Sequence, residues 1–307
     1  MINQAYFKQV DLLLQILPYI AQEKCFALKG GTAINLFVRD LPRLSVDIDL
    51  TYLPFDNRTD ALKNISDSLL QVKENLEKAI PNIKINTVQQ QQQETKLICQ
   101  VGLTQVKIEA NTVIRGNIFS ARNMPVTDAV QNMFNKFASI QVVSNAELFG
   151  GKICAALDRQ HPRDLFDVSY LLNTEGFSED IKLGFIASLL SHDRPINELL
   201  KPELFDKSAT FDAEFVGMTD HAFLYEDYEK TRMLLIQAIH DNLTSNDKAF
   251  LISFKEGTPA WQLNPIKNLK DMPALKWKLQ NIKKLIDQNP DKHKLQLQAL
   301  KETLSIS

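Results

Sequence analysis

Cysteine is scarce. Cys25, Cys99 and Cys154 stand far apart among 307 residues. They form neither a disulfide framework nor a zinc motif, which suits a reducing compartment, the cytoplasm. Cys25 and Cys154 sit in apolar contexts and read as core. Glycine is also sparse, at ten residues. None falls in a GxxxxGK[ST] or GxGxxG pattern, which excludes a P-loop and a dinucleotide fingerprint. The histidines, His161, His192, His221, His240 and His293, are scattered without an HExxH, and no G-x-S-x-G elbow occurs. No apolar run approaches the ~20 residues of a membrane span, so no membrane partner is expected. The opening MINQAYFKQVDLLLQIL has no basic n-region or small-residue cleavage site and does not read as a secretory signal. Neither sign of charge dominates. Lys and Arg total 35 against 37 Asp and Glu, a net charge of -2. That excludes a general basic coat for nucleic acid but not a local basic patch.

What is there is the composition of a soluble globular protein, 44% hydrophobic and 23% charged, long enough for about two domains. Residues 3–23 place Phe7, Val10, Leu13, Leu14 and Leu17 at helical steps, with Pro18 ending or kinking the helix. Cys25–Leu28 reads as a buried strand, broken by Gly30-Gly31, and a second helical pattern begins at Thr32. In SVDIDLTYL, Val46, Ile48 and Leu50 alternate with Asp47, Asp49 and Thr51, the period of a strand. Residues 59–80 read as an amphipathic helix. Residues 82–88, 95–103 and 105–110 read as a three-stranded meander, with the five glutamines 89–93 as a polar hairpin tip. Residues 145–159 and 162–173 read as helices, the second with Pro162 near its start. From about residue 176 helical patterns take over. The expected domains are therefore 1–175 and 176–307, with no internal repeat.

The strongest chemical signal is Asp47-Ile48-Asp49. Their spacing puts both carboxylates on one face of a strand, with Cβ atoms roughly 7 Å apart. Two carboxylates that close repel unless a cation lies between them, and magnesium suits oxygen ligands shared with phosphate. Alone, such a pair is more often a solvated strand face. Upstream, Gly30-Gly31-Thr32 stands at a strand-to-helix turn, where bare backbone and free N–H groups can meet a phosphate, or where an ordinary capped turn can form. Downstream, Glu109 shares a strand face with Lys107. It could supply a third carboxylate to a two-metal site, or be a surface residue. Lys152 and Arg159 share one helix face, and Asp164 and Asp167 share the next. They suit either a helix pair packed by ion pairs, such as Arg163 with Asp167, or a lysine held for triphosphate oxygens.

The order of these pieces resembles nucleotidyltransferases of the DNA polymerase β type, and within them the AbiEii toxin family of type IV toxin–antitoxin and abortive-infection systems. The resemblance rests on LKGGTAINL (28–36), RLSVDIDL (43–50), KIEA (107–110) and GGKICAALDRQHPRDLFDVSYLL (150–172). FVGMTD…YEDYEKTRMLLIQAI (215–239) is a weaker echo. It implies an α+β fold, a small mixed sheet flanked by helices, followed by a helical C-terminal domain. It also implies transfer of a nucleotide from an NTP with Mg2+, to RNA such as the tRNA 3′ end, so blocking translation, and a cognate antitoxin. By this resemblance Gly30, Gly31 and Thr32 would bind phosphates. Asp47 and Asp49 would bind metal, with Glu109 as third ligand. Lys152 and Arg159 would bind the nucleotide. Asp164 would be the catalytic acid after the basic helix, with Asp167 as its alternative.

Residues 265–307 carry nine lysines against four acids, Asp271, Asp287, Asp291 and Glu302, a local +5. Lys276, Lys278, Lys283, Lys284, Lys292 and Lys294 could meet RNA phosphates, and they could equally form a solvated face. Trp277 reads as core, with stacking on a base as the alternative. The competing functions are nucleotidylation of a protein or small-molecule hydroxyl, and a non-catalytic binding module.

Overall fold

The alternation around Asp47 becomes the centre of a seven-stranded mixed sheet. The computed structural model describes residues 3–90 and 93–305. The chain forms two compact units, residues 1–144 with 215–222, and residues 145–214 with 223–307. The first holds β1 (Phe26–Lys29), β2 (Asp47–Tyr52), β3 (Lys84–Gln90), β4 (Gln93–Val101), β5 (Thr104–Asn111), β6 (Arg122–Pro125) and β7 (Ser139–Val142). Their order is β3-β4-β5-β2-β1-β7-β6. β2 runs parallel to β5 and antiparallel to β1, and β1 runs parallel to β7.

Ile48, Leu50, Val106, Ile108, Leu97 and Cys99 face one side of the sheet and are buried. Helices α1 (Gln4–Ile20) and α3 (Arg58–Ala79) pack on β5 and β4 and on each other. α1 begins at Asn3, whose side chain accepts from the Ala5 N–H, and runs two residues past Pro18. Between β1 and β2, α2 (Gly30–Ala33) passes into a π-helical turn at Ile34–Val38. A short helix, α4 (Asp128–Phe134), precedes β7. Of the five glutamines, Gln91 and Gln92 lie outside the described residues, while Gln89, Gln90 and Gln93 extend β3 and β4. The FVGMTD segment returns to this unit. The Leu44 N–H donates to the Met218 carbonyl, and the Thr219 hydroxyl to the Pro42 carbonyl, just before β2.

Among its described residues the second unit is helical: α5 (Asn145–Arg159), α6 (Pro162–Asn173), α7 (Glu179–Ser191), α8 (Ile196–Leu200), α9 (Ser208–Glu214), α10 (Tyr225–Asn242), α11 (Ser245–Lys255), α12 (Pro273–Gln288) and α13 (Pro290–Thr303). The sequence texture changes near 175, but the compact units part at 144/145. α5 packs on α6 and α7, and α6 on α10, so both motif-bearing helices join the helical unit. α5 and α7 meet at glycine. A Cβ on Gly150 would lie 2.2 Å from the Gly184 carbonyl carbon, and one on Gly184 would lie 1.9 Å from the Ala146 oxygen.

Candidate active site

β2 presents Asp47 and Asp49 on the sheet face opposite α1 and α3, half-buried while Ile48 and Leu50 are fully buried. The glycine turn closes against them. Gly30 has φ +73°, and a Cβ there would stand 2.7 Å from Asp49 Oδ2. The positive φ calls for glycine, and any side chain there would displace the Asp49 carboxylate. At Gly31 a Cβ would stand 2.7 Å from an Arg43 guanidinium nitrogen and 3.0 Å from Ser45 Oγ. Arg43 and Ser45, the polar residues of RLSVDIDL, are thus packed against the turn. Thr32 is 1% exposed. Its hydroxyl donates to the Asp47 carbonyl and lies 3.0 Å from Ser45 Oγ. It ties the turn to β2, so its side chain does not face solvent as a phosphate donor.

Lysines border the carboxylates. Lys29 pairs with Asp49 across β1, and Lys107 with Asp47 across β5. Burial opposes the Lys107 charge, but Asp47, Glu109 and Asp49 outweigh it and raise its pKa. Glu109 pairs with Asp49 in register, yet its Oε2 lies 3.2 Å from both Lys96 Nζ and Lys107 Nζ. Burial would raise its pKa, and the two lysines lower it. Among the described residues no group of three His, Cys, Asp or Glu side chains could hold a metal ion. In this structure Glu109 stands beside Asp49 in the sheet, with its carboxylate drawn to Lys96 and Lys107.

In the helical unit Lys152 is 5% exposed, with Nζ 2.7 Å from Asp164 Oδ1 and 3.0 Å from Asp167 Oδ2. Arg159 Nε donates to Asp164 Oδ2 at 2.6 Å, while its side chain stays 61% exposed. Both aspartates thus serve Lys152, and Asp164 also aims Arg159. Arg163 lies 3.8 Å from Glu214 rather than pairing with Asp167. The corner between α5 and α6 is Gln160, buried at φ +50°. Its carbonyl accepts from the Tyr228 hydroxyl at 2.9 Å, and its Oε1 from Arg232 at 3.1 Å. Tyr228 and Arg232 belong to the weaker sequence echo, and their task is to fix this corner.

The family model for the nucleotidyl transferase AbiEii toxin of type IV toxin–antitoxin systems matches residues 11–281. The chain belongs to the AbiEii family. It is a nucleotidyltransferase and a toxin of a type IV system, and membership implies an NTP substrate and an antitoxin partner. Among solved structures it is similar to MenT4, a nucleotidyltransferase toxin of Mycobacterium tuberculosis H37Rv. The identity is 12%, the TM-score is 0.59, and 89% of this chain and 91% of that chain are covered. At that identity the likeness concerns the fold. No curated protein matches the sequence.

In this AbiEii chain, four further residues that sequence reasoning did not single out border the site: Lys29, Arg43 and Ser45, which lie inside the motifs, and Lys96, which lies outside them. Cross-strand pairing and packing on glycine reveal them, and neither has a spacing signature. Two readings in the basic C-terminal segment change. Trp277 is 55% exposed rather than core. Lys278 donates to the carbonyls of His192, Asp193 and Arg194 at the end of α7, so it is committed within the unit. Lys276, Lys283, Lys284, Lys292 and Lys294 are exposed. Among the described residues no helix is long and apolar enough to cross a membrane.

Proposed function

We infer that this nucleotidyltransferase toxin acts in the cytoplasm, moving a nucleotide from an NTP to the 3′ hydroxyl of an RNA, with tRNA as acceptor and Mg2+ as the ion. The carrying observation is the close approach of turn and carboxylate, 2.7 Å from a Cβ on Gly30 to Asp49 Oδ2. Bare backbone against a carboxylate pair suits a triphosphate that shares a cation with those carboxylates. Asp47 and Asp49 offer oxygen donors from one strand face, a donor set that fits Mg2+ with its remaining positions left to water and phosphate. Bound there, the ion would supply charge neutralisation at the phosphates and activation of the attacking hydroxyl.

The chain's own residues carry the rest. Gly30 and Gly31 admit phosphate oxygens to backbone N–H groups, and Thr32 holds that turn on β2. Arg159, aligned by Asp164, presents a guanidinium to triphosphate oxygens. Lys152, enclosed by Asp164 and Asp167, is the second cation assigned to the nucleotide. Asp164 is the acid that sets both cations. In the reaction the RNA O3′ forms a bond to the α-phosphorus, and the bond to the bridging α–β oxygen breaks. Pyrophosphate leaves, and the hydroxyl proton passes to water. The exposed lysines and Trp277 of α12 and α13 favour an RNA acceptor, since they combine phosphate partners with a stacking surface.

The test is label transfer from each α-labelled NTP to total tRNA with Mg2+, beside an Asp47→Ala/Asp49→Ala variant. Label in tRNA with the wild type and none with the variant is expected. Label on protein instead would move the acceptor to a protein hydroxyl. Transfer that survives in the variant would remove Asp47 and Asp49 from the site.

A further inference from the structure

Two rows of side chains cross the open sheet face. One reads Lys29, Asp49, Glu109 and Lys96, contributed in turn by β1, β2, β5 and β4. The next holds Asp47 beside Lys107. Paired residues on neighbouring strands stand about 5 Å apart, so these charges interact directly. These two rows together carry three carboxylates and three ammonium groups, so their charges balance.

A two-metal phosphoryl-transfer centre needs an excess of carboxylate, because two dications must be held close together. Here the third carboxylate is taken. One oxygen of Glu109 lies 3.2 Å from both Lys96 and Lys107. Lys107 in turn stands beside Asp47, where a second ion would compete with its charge.

We propose that this site holds a single divalent cation, on Asp47 and Asp49, and that the Lys107 ammonium takes the place of the second. Glu109 is then a positioning residue, holding Lys107 beside the aspartates rather than binding metal. Lys107 also offers its positive charge to the incoming triphosphate. The proposal rests on the reading of Asp47 and Asp49 as metal ligands.

Lys107 acts with opposite sign on its two neighbours, repelling a metal ion and attracting a triphosphate. Removing its charge therefore has two opposed effects. Mn2+ replaces Mg2+ as the probe, and the electron paramagnetic resonance signal of free Mn2+ reports binding to the full-length protein. For Lys107→Gln, Mn2+ affinity without nucleotide rises on the order of tenfold, the effect of losing one like charge near the ion. Affinity for a non-transferable α,β-methylene NTP analogue falls by a similar factor. Lys107→Arg keeps the charge and follows the wild type in both measurements. With the analogue bound, the wild type takes up one Mn2+ per chain.

Two Mn2+ per chain in that wild-type complex would overturn the proposal. So would a Lys107→Gln variant with unchanged Mn2+ affinity, or one in which both affinities fall together. An Asp47→Asn/Asp49→Asn variant separates the layers. If it binds Mn2+ as the wild type does, the metal reading of the aspartates fails, and the proposal with it. If it loses Mn2+, the behaviour of Lys107 alone decides.

Discussion

Asp164 shows how one carboxyl group can carry a local structure. Burial alone would raise its pKa, but Lys152 and Arg159 hold it well below the usual carboxylate range. A folded-state pKa depressed in this way contributes stability that is fully present above the unfolded value, about 3.9. The contribution is lost as pH falls through the folded value. Wild-type unfolding free energy should therefore fall as the pH drops below about 4, and Asp164→Asn should flatten that slope. At neutral pH, Asp164→Ala leaves Lys152 with one carboxylate in a buried setting and should cost about 3–5 kcal/mol by urea unfolding. Asp47→Ala, on the open sheet face, should stay within about 1 kcal/mol of wild type. The three-residue spacing of Asp164 and Asp167 made their shared face legible. That they would hold Lys152 or Arg159 was legible as one of two alternatives; that both close on Lys152 while Asp164 also takes Arg159 was not, because the helix corner at Gln160 brings them together.

Among the elements, the α5–α7 packing depends on the absence of two side chains. Gly150 and Gly184 let one helix backbone rest on the other, and no atom at either position can move aside, because the obstacles are main-chain atoms. Gly184→Ala must push the helices apart and should destabilise by more than about 3 kcal/mol, or prevent folding. Gly151 is the internal control. The nearest atom to its added Cβ is Ser188 Oγ at 3.8 Å. Gly151→Ala should be neutral or stabilise by about 0.5–1 kcal/mol, as expected for glycine in a helix. Thermal or urea unfolding of the two variants side by side checks the pair. The sequence shows two adjacent glycines and no difference between them; the neighbouring helix makes the difference. The short strands β6 and β7 were illegible for a related reason. Four residues give too few alternations to register; β7 is a strand because β1 offers it an edge, and β6 because β7 does.

For the whole molecule, charge distribution matters more than net charge. The net value of -2 conceals the lysines of α12 and α13. If RNA lies on them, replacing Lys283, Lys284, Lys292 and Lys294 with glutamine should weaken tRNA binding. The slope of log affinity against log salt should shrink by roughly 0.7–0.9 for each RNA phosphate that is no longer neutralised. Trp277→Ala should cost about 1–3 kcal/mol of RNA affinity where a base stacks on it. Filter binding over a salt series measures both. Tight binding with an unchanged salt slope in the lysine variant would place the RNA elsewhere.

The chemistry-bearing segments are readable in the amino-acid order: the glycine turn, the aspartate pair on an alternating strand, and the basic helix followed by two acids. These are local patterns, fixed by a period of two, a period near 3.6 and glycine's freedom at positive φ. Their order also identified the family. Which charges meet follows from sheet register and helix packing. Glu109 turned to Lys96 and Lys107, Thr32 to the Asp47 carbonyl, Lys278 to the end of α7, and Trp277 outward. Such partners lie on strands or helices distant in sequence. Their pairing depends on sheet register and helix packing, which no local spacing encodes.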